Sequence, residues 1–392
     1  MWGDGMKWVN SISELFRQST IDLDRVKYFQ DNNLLSISIT MRCSLRCPYC
    51  VSNMFNPRSQ RDNFIDKMGI QSFIDKLYTC FHHKFPMQTS IPGTGEPTES
   101  PHFVPLFSKL LEWENTVIIQ TNLNGSKRIE EVLSSYSKKE VHDRVKIVTS
   151  YHLGTMLDRP LQEGYDLRSK YLCEHFPRIV DLGCNVVQVV TPMTPKAIRD
   201  DRIINDFEFL YKLHAFQPVV TELYHFYQGK TYPRDYTPED RNLLQEVRAK
   251  IFDVCQYHPQ TFHDVPNKDQ VKYNTAAFKL KGMSCYKPTY HLDILATGEL
   301  RICQTEPPWI LGQFETIDPD FVKTVFHDEP VKCPAEKCLC RSAGISGCLS
   351  VHGITTNEYY YAHYMENHQP QIAKLFQKTE KTPRIQEEVD SL

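Results

Sequence analysis

MRCSLRCPYC, residues 41–50, places Cys43, Cys47 and Cys50 on one short loop directly after a β-branched run that ends at Thr40. Three thiolates at this spacing can each bind one iron of a 4Fe-4S cube and leave the fourth iron without a protein ligand. An open iron can bind a substrate or cofactor directly, whereas a fully ligated cube only passes electrons. Zinc is the alternative, but structural zinc sites usually take four ligands in paired CxxC groups.

Short β-branched runs alternate with segments of helical period on both sides of this loop. Strand followed by helix, repeated in this way, predicts a buried parallel sheet, and six such units favour a partial barrel. The expected fold is therefore α/β, a partial (β/α)6 barrel with a small carboxyl-terminal β-hairpin and loop domain. The six predicted strands are LLSISIT ending at Thr40, MQTSI before Gly93, VIIQT ending at Thr121, VKIVTS ending at Ser150, NVVQVVT ending at Thr191 and PVVTELY ending at Tyr224.

Two further elements are predicted from local signals. TPEDRNLLQEVRAKIFDVC, from Thr237, carries the proline and acids that favour a helix start. HLDILATGELRIC predicts a hairpin that turns at Thr297 and Gly298. The predicted organisation is an amino-terminal extension over 1–33, the barrel over 34–232, a bridging helical region over 233–280, an auxiliary domain over 281–350 and a tail over 351–392.

Composition narrows the class of protein. Hydrophobic residues make up 41% and charged residues 24%, as in ordinary soluble proteins, and no apolar run is long enough to cross a bilayer. The start, MWGDGMKWVNSIS, lacks the regions of a secretory signal, so we expect a cytoplasmic protein. With 45 lysines and arginines against 48 acids, no overall basic excess favours nucleic acid as a partner.

Thirteen cysteines are many for an intracellular chain, and close spacing there favours metal binding or catalysis over disulfides. Four of them, Cys80, Cys173, Cys184 and Cys255, are scattered, and we expect them to be small buried apolar residues.

The cysteine loop, with aromatic Tyr49 before its last cysteine, resembles the defining motif of the radical S-adenosylmethionine (SAM) superfamily, and the resemblance covers residues 34–224. It implies that the open iron chelates the amino and carboxylate groups of the methionine moiety of SAM. One electron, from a donor such as flavodoxin or ferredoxin, then breaks a sulfur–carbon bond and gives a 5′-deoxyadenosyl radical. In such enzymes the cofactor supplies the hard step and the protein supplies position and shielding.

Two later segments match the same superfamily. PGTGEPTE, with Gly93, Gly95, Glu96 and Pro97, resembles its GGEP segment, although Thr94 stands between the glycines. The resemblance implies that Gly95 lets the backbone approach the cofactor and that Glu96 accepts a hydrogen bond from the methionine ammonium. Taken alone, the segment would be interpreted as a glycine turn between strand and helix.

QTNLNG resembles the TNG ending of the third strand in this superfamily, and TSYHLG follows the fourth strand. The resemblance implies cofactor contacts from Asn122 and Ser150, in addition to Tyr49. For His152 a contact to the ribose and a loop-packing role are equally expected. These segments lie at the carboxyl ends of predicted strands, where barrels build their sites.

The spacing of Cys285, Gly298 and Cys303 resembles the opening of the SPASM and twitch domains found in many members of the superfamily. CPAEKCLC adds three more cysteines, and together these imply one auxiliary 4Fe-4S cluster. Which four cysteines bind stays open, and a zinc ribbon is the serious alternative. The candidate ligands are Cys285, Cys303, Cys333, Cys338 and Cys340, with Cys348 either a further candidate or a packing residue.

An auxiliary cluster can accept an electron from a substrate radical, whereas a redox-neutral reaction needs a hydrogen donor beside it. Cys184 and Cys255 are poorly placed as donors, so we expect an oxidation, either a dehydrogenation or a bond formation. About thirty residues precede the first strand, fewer than an independent leader-binding domain needs, which favours a small molecule such as a sugar or nucleotide intermediate. A peptide substrate is the alternative. A non-catalytic electron carrier or sensor is another, but it has no use for PGTGEPTE.

Overall fold

The computed structural model describes residues 9–31, 33–45, 47–50, 63–153, 167–223, 225–257, 280–303, 305–306, 309–325, 329–334, 337–338, 351–354 and 356–366. Its centre is a nine-stranded sheet in which the first six strands of the chain lie side by side, in chain order and parallel. They are β1 (Leu34–Ile37), β2 (Gln88–Ile91), β3 (Thr116–Thr121), β4 (Val145–Ser150), β5 (Asn185–Met193) and β6 (Gln217–Glu222). Among the described residues β6 pairs with no strand beyond β5, so the barrel is open. The predicted partial (β/α)6 barrel is confirmed.

Helices fill the connections between these strands and continue on both sides of them. The α-helices are α1 (Ile12–Gln18), α2 (Leu23–Asp31), α3 (Phe64–Met68), α4 (Ile70–Phe81), α5 (Phe103–Glu112), α6 (Ser126–Leu133), α7 (Lys138–Arg144), α8 (Leu167–Lys170), α9 (Phe176–Asp181), α10 (Pro195–Ile198), α11 (Arg202–Leu213), α12 (Pro238–Val254), α13 (Lys287–Tyr290), α14 (Pro319–Val325) and α15 (Thr356–Glu366). Three 3-10 turns (His82–Lys84, Pro97–Glu99, Phe314–Thr316) and one π turn (Tyr171–His175) complete the helical elements described. No helix in the described ranges combines the length and the apolar character that a bilayer crossing demands.

The local sequence explains where α12 begins and where α3 ends and α4 begins. Thr237 and Asp240 form a reciprocal capping box at the start of α12, and Pro238 occupies its first turn, so this predicted helix is confirmed. The segment of helical period that begins at Ile65 forms two helices rather than one. Gly69 divides α3 from α4 with φ of 82°, a backbone conformation that glycine adopts without steric cost.

The remaining strands are short and mostly follow the barrel. They are β7 (His225–Tyr227), β8 (Lys230–Tyr232), β9 (Ser284–Cys285), β10 (His291–Ile294), β11 (Glu299–Cys303), β12 (Thr305–Glu306), β13 (Trp309–Gln313), β14 (Val331–Lys332) and β15 (Lys337–Cys338). Strands β10 and β11 form the predicted hairpin, and Gly298 lies in its turn.

The hairpin extends the barrel sheet, which the sequence did not indicate. Strand β10 runs parallel to β1, so β11 and then β13 follow as antiparallel strands at that edge. Because β10 belongs to the same sheet as β1, Cys303 at the end of the hairpin is fixed relative to the barrel. The domain boundaries drawn from the sequence stay a prediction.

Strand alternation separates the two faces of this sheet. Leu35 on β1 and its register partner Leu292 on β10 are fully buried in the core that the helices cover. Their neighbours Ser36 and Asp293, also in register, therefore point to the opposite face, which is the inner face of the partial barrel. Polar groups are thus concentrated inside the barrel.

Replacing Gly298 with alanine should destabilise the protein more than the same change at Gly229. Both glycines have positive φ, 86° and 78°, so both substitutions carry a backbone cost of about 1–2 kcal/mol. A Cβ at Gly298 would also lie 2.9 Å from Cγ of Phe64, while nothing lies within 4 Å of one at Gly229. We expect overpacking to cost a further 1–3 kcal/mol, roughly, in the free energy of unfolding, measured by denaturant titration. Equal losses for the two variants would show that Phe64 does not constrain the turn.

Candidate functional site

The predicted site segments meet at the carboxyl edge of the parallel sheet. The cysteine loop follows β1, PGTGEPTE follows β2, Asn122 follows β3 and Ser150 ends β4. In barrels this edge is where the loops of successive strands converge on a site. The structure therefore brings together segments that are as far as a hundred residues apart.

The segment after β2 packs directly on the cysteine loop. The hydroxyl of Thr94 donates to the carbonyl of Thr40 at 2.9 Å, and the backbone N–H of Glu96 donates to the carbonyl of Arg42 at 2.7 Å. A Cβ at Gly95 would lie 2.3 Å from that same carbonyl oxygen of Arg42. Glycine is required at this position because the backbone of Arg42 comes this close, whether or not a ligand is bound.

The carboxylate of Glu96 joins this segment to the end of β3. Its Oε1 accepts from the backbone N–H of Thr98 at 3.2 Å and from the hydroxyl of Thr121 at 2.6 Å, and its Oε2 accepts from the backbone N–H of Asn122 at 2.8 Å. Glu96 is 2% exposed, and this burial raises its pKa although the hydrogen bonds act in the opposite direction. Oε2 accepts one of these bonds only, so it retains capacity for another donor.

The three loop cysteines carry free thiols. Burial raises the pKa of Cys43 to about 12, and burial together with the charges of Cys43 and Cys50 raises the pKa of Cys47 to about 12. The side-chain amide of Asn122 lies 3.8 Å from Sγ of Cys43. Since neighbouring thiolates repel one another, a bound cation favours the ionisation of all three.

These residues fit a 4Fe-4S cluster in donor type and number. Within the described ranges, no three His, Cys, Asp or Glu side chains are grouped so as to hold a single metal ion. A cube is ligated through separate irons, so its thiolates need not converge on one ion as zinc ligands do. The assignment of Cys43, Cys47 and Cys50 as ligands stays a prediction.

Glu99 is a site residue that the sequence-based predictions missed. The backbone N–H of Ser44 donates to Oε2 of Glu99 at 2.9 Å, and the hydroxyl of Ser44 donates to the other oxygen. Glu99 thereby holds the loop between the first two cysteines from the 3-10 turn that follows Glu96. Its only sequence signal is its position in PGTGEPTE, where nothing distinguishes it from an exposed acid.

Tyr49 and His152 are brought together from opposite sides of the site. The hydroxyl of Tyr49 lies 2.8 Å from Nδ1 of His152, and its ring lies 6.0 Å from that of Tyr227. Burial lowers the pKa of His152 to about 4, so its imidazole is neutral at pH 7. Ser150 is half-buried at the end of β4, two residues before His152. The predicted contacts of Tyr49, Gly95, Glu96, Asn122 and Ser150 with a cofactor stay predictions.

Three further cysteines converge beyond the barrel. Cys285 lies on β9, Cys303 ends β11 and Cys333 follows β14. Strand β14 pairs with β9, and the backbone N–H of Cys333 donates to the carbonyl of Met283 at 2.9 Å. Burial together with the charges of Cys333 and Cys303 raises the pKa of Cys285 to about 12, so the three thiols lie near one another.

Backbone pairing adds a fourth cysteine to this region. Cys338 on β15 pairs with Thr305 on β12, two residues after Cys303. Cys340 and Cys348, the other predicted candidates, lie outside the described residues. The predicted ligation of an auxiliary cluster by Cys285, Cys303, Cys333, Cys338 and Cys340 stays a prediction.

The scattered cysteines behave as predicted with one exception. Cys80, Cys184 and Cys255 are buried in the core. For Cys173 the expectation is wrong, since its side chain is exposed. Its neighbours Tyr171 and Leu172 on the same π turn face the core, which leaves Cys173 on the solvent side.

No protein-family model matches the chain, and no curated protein matches it. Among solved structures, it is similar to Streptococcus suis SuiB bound to S-adenosylmethionine, at 16% identity over 75% of this chain and 67% of that chain, with a TM-score of 0.47. It is also similar to native anSMEcpe with bound AdoMet and Kp18Cys peptide, at 14% identity over 88% of this chain and 99% of that chain, with a TM-score of 0.47. SuiB and anSMEcpe are radical SAM enzymes. At these identities and TM-scores, the similarities alone assign neither a cofactor nor a reaction to this chain.

Removing the carboxylate of Glu99 should shorten the lifetime of a cluster on the cysteine loop. Hydrogen bonds to a charged group contribute about 1.5–3 kcal/mol, and discounting for solvent at this half-exposed side chain we expect roughly tenfold faster cluster loss in Glu99→Ala. The measurement is the decay of visible absorbance after addition of an iron chelator to the reconstituted protein. Glu131→Ala, which removes an exposed carboxylate on α6, is the control. Identical decay in both variants and the wild type would mean that Glu99 does not hold the loop.

Proposed function

We propose that this chain is a radical SAM enzyme in which Cys43, Cys47 and Cys50 hold a 4Fe-4S cluster at the carboxyl edge of the barrel. The observation that carries the proposal is the packing of PGTGEPTE on the cysteine loop. On that loop three thiols lie close enough that the charges of Cys43 and Cys50 raise the pKa of Cys47. An electron carrier needs the thiols but not the second segment. When bound, the cluster supplies the electron that cleaves SAM into methionine and a 5′-deoxyadenosyl radical.

The residues around the loop would bind and orient the methionine end of SAM. Oε2 of Glu96 can accept a further hydrogen bond, and an ammonium is a donor of suitable charge for a carboxylate. Asn122 presents its amide beside Cys43, between Glu96 and the sulfur. In this proposal the Glu96 carboxylate therefore has two roles. It joins the segment after β2 to the end of β3, and it contacts the cofactor.

Tyr49, His152 and Ser150 would bind the nucleoside end. The ring of Tyr49 is held by its hydrogen bond to His152, and a neutral imidazole adds a polar group without adding charge. Ser150 ends β4, and Asn122 follows the neighbouring strand β3. The hydroxyl of Ser150 therefore lies about one strand spacing from Asn122. Together they form a wall that shields a reactive carbon from water.

The proposed reaction is an oxidation of the substrate, with an auxiliary 4Fe-4S cluster at Cys285, Cys303 and Cys333 taking up the electron. The three thiols lie near one another, which supports a cluster at this place that accepts the electron. The buried thiols of Cys184, before β5, and Cys255, at the end of α12, lie away from the site edge, so neither supplies a hydrogen atom. We propose a small molecule as substrate and keep a peptide as the alternative.

Replacing Cys43, Cys47 and Cys50 together with alanine should abolish formation of 5′-deoxyadenosine from SAM under anaerobic, reducing conditions. Roughly half of the iron should remain, because each cube has its own thiolates. The readouts are chromatography of the nucleoside products and iron content per chain. Cys173→Ala, which removes an exposed thiol outside the site, is the matched control and should retain full activity.

Three results would contradict the proposal. These are 5′-deoxyadenosine formation by the triple variant, none by the wild type, or zinc in place of iron. To identify the substrate, the same assay can be run with deuterated candidates of both classes, since the true substrate transfers its deuterium to 5′-deoxyadenosine.

Glu96→Gln should weaken SAM binding roughly 10–100-fold, as expected for the loss of one hydrogen bond to a charged group. The amide of glutamine presents an N–H where Oε2 now accepts, so it cannot take an ammonium proton. Equilibrium dialysis with SAM measures affinity, and thermal unfolding without SAM measures stability, with Glu131→Gln as the exposed control. A lower unfolding temperature with unchanged affinity would show that Glu96 only joins the segments.

A further inference from the structure

Lys287 is a buried lysine without a partner of its own. It begins α13, two residues after Cys285, and it is 5% exposed. Within the part of the chain that the structure describes, its ammonium makes neither a hydrogen bond nor an ion pair. Burying an ammonium away from water costs several kcal/mol unless a negative charge compensates it. A compensating anion is therefore expected close to Lys287.

Asp293, a partly buried acid in this region, is already engaged. Its Oδ1 lies 2.8 Å from Nε2 of His291, and its Oδ2 lies 3.3 Å from a guanidinium nitrogen of Arg301. Burial would raise the pKa of Asp293, but the hydrogen bond and charge of His291, with the charges of Lys287 and Arg301, outweigh it and hold the pKa at about 2. One carboxylate thus faces the charges of Lys287 and Arg301, and one positive charge stays unbalanced.

Among the described residues, the thiols of Cys285, Cys303 and Cys333 are a second source of negative charge near Lys287. The backbone N–H of Lys287 is hydrogen-bonded to the sulfur of Cys285, which lies on β9 two residues before Lys287. This contact favours negative charge on the sulfur. A cluster ligated by thiolates is an anion, and it becomes more negative with each electron that it accepts.

We propose that the Lys287 ammonium is the charge partner of the auxiliary iron–sulfur cluster at Cys285, Cys303 and Cys333, and that it raises the reduction potential of this cluster. The inference rests on the proposed function, since it requires that these thiols hold a cluster. A fixed positive charge in a buried site stabilises the reduced, more negative state. The cluster thereby becomes a better acceptor for an electron from the substrate.

The test is an anaerobic redox titration of the reconstituted full chain, followed by electron paramagnetic resonance. The signal that persists in the Cys43, Cys47 and Cys50 triple alanine variant belongs to the auxiliary cluster. Lys287→Met should lower its reduction equilibrium constant at least tenfold, which is about 59 mV for one electron. Lys287→Arg, which keeps the charge, should stay within threefold of the wild type.

Lys332→Gln is the matched control, because Lys332 lies next to Cys333 but is exposed to solvent that screens its charge. It should also stay within threefold of the wild type. A shift in Lys287→Met no larger than that in Lys332→Gln, with the cluster retained, overturns the inference. Weaker substrate binding at an unchanged potential overturns it as well, since the ammonium would then pair with a substrate anion.

Cluster loss is informative too. If Lys287→Met loses the auxiliary cluster while Lys287→Arg keeps it, the need for a positive charge is supported. If both lose it, Lys287 acts through packing and the inference fails. A wild-type protein with iron for one cluster only, or with zinc at these thiols, overturns the auxiliary part of the proposed function instead, and the inference with it.

Discussion

The carboxylate of Glu96 sits where three segments of the candidate site meet, and the geometry of the site depends on its hydrogen bonds. It accepts from the segment after β2 and from the end of β3, while the backbone N–H of the same residue binds the cysteine loop. A buried carboxylate is costly unless donors surround it, so these contacts are obligatory once Glu96 is inside. The close approach at Gly95 follows, because a side chain there would separate the segment from Arg42.

The order of the strands determines which functional groups lie beside Glu96 at the edge of the sheet. Parallel strands in chain order deliver the loops after β1, β2, β3 and β4 to one edge, so thiols, a carboxylate, an amide and a hydroxyl become neighbours. Glu99 adds a second acidic contact to the loop, through Ser44. The cysteine loop is thus held from two sides by one short stretch of chain.

The hairpin places the second group of thiols in a defined relation to the first. Because β10 is hydrogen-bonded to β1, Cys303 at the end of β11 is part of the same rigid sheet as the barrel. A freely tethered domain would leave the separation of the two groups of thiols undefined. Asp293 and Arg301 are in register on β10 and β11 and form an ion pair on this part of the sheet.

Spacing and local pattern were sufficient for the strand order, the capping of α12 and the turn at Gly298, because each depends on residues near one another in the chain. Pairings between distant residues required the tertiary structure. The contacts of Glu99 with Ser44, of Tyr49 with His152 and of β10 with β1 join positions 55, 103 and more than 250 residues apart. The break at Gly69 and the exposure of Cys173 belong to the same group, since helical periodicity carries no information on which neighbours are available for packing. Lys287 shows the limit most clearly: a lysine after a cysteine is ordinary in a sequence, and only its burial beside three thiols gives its charge a consequence.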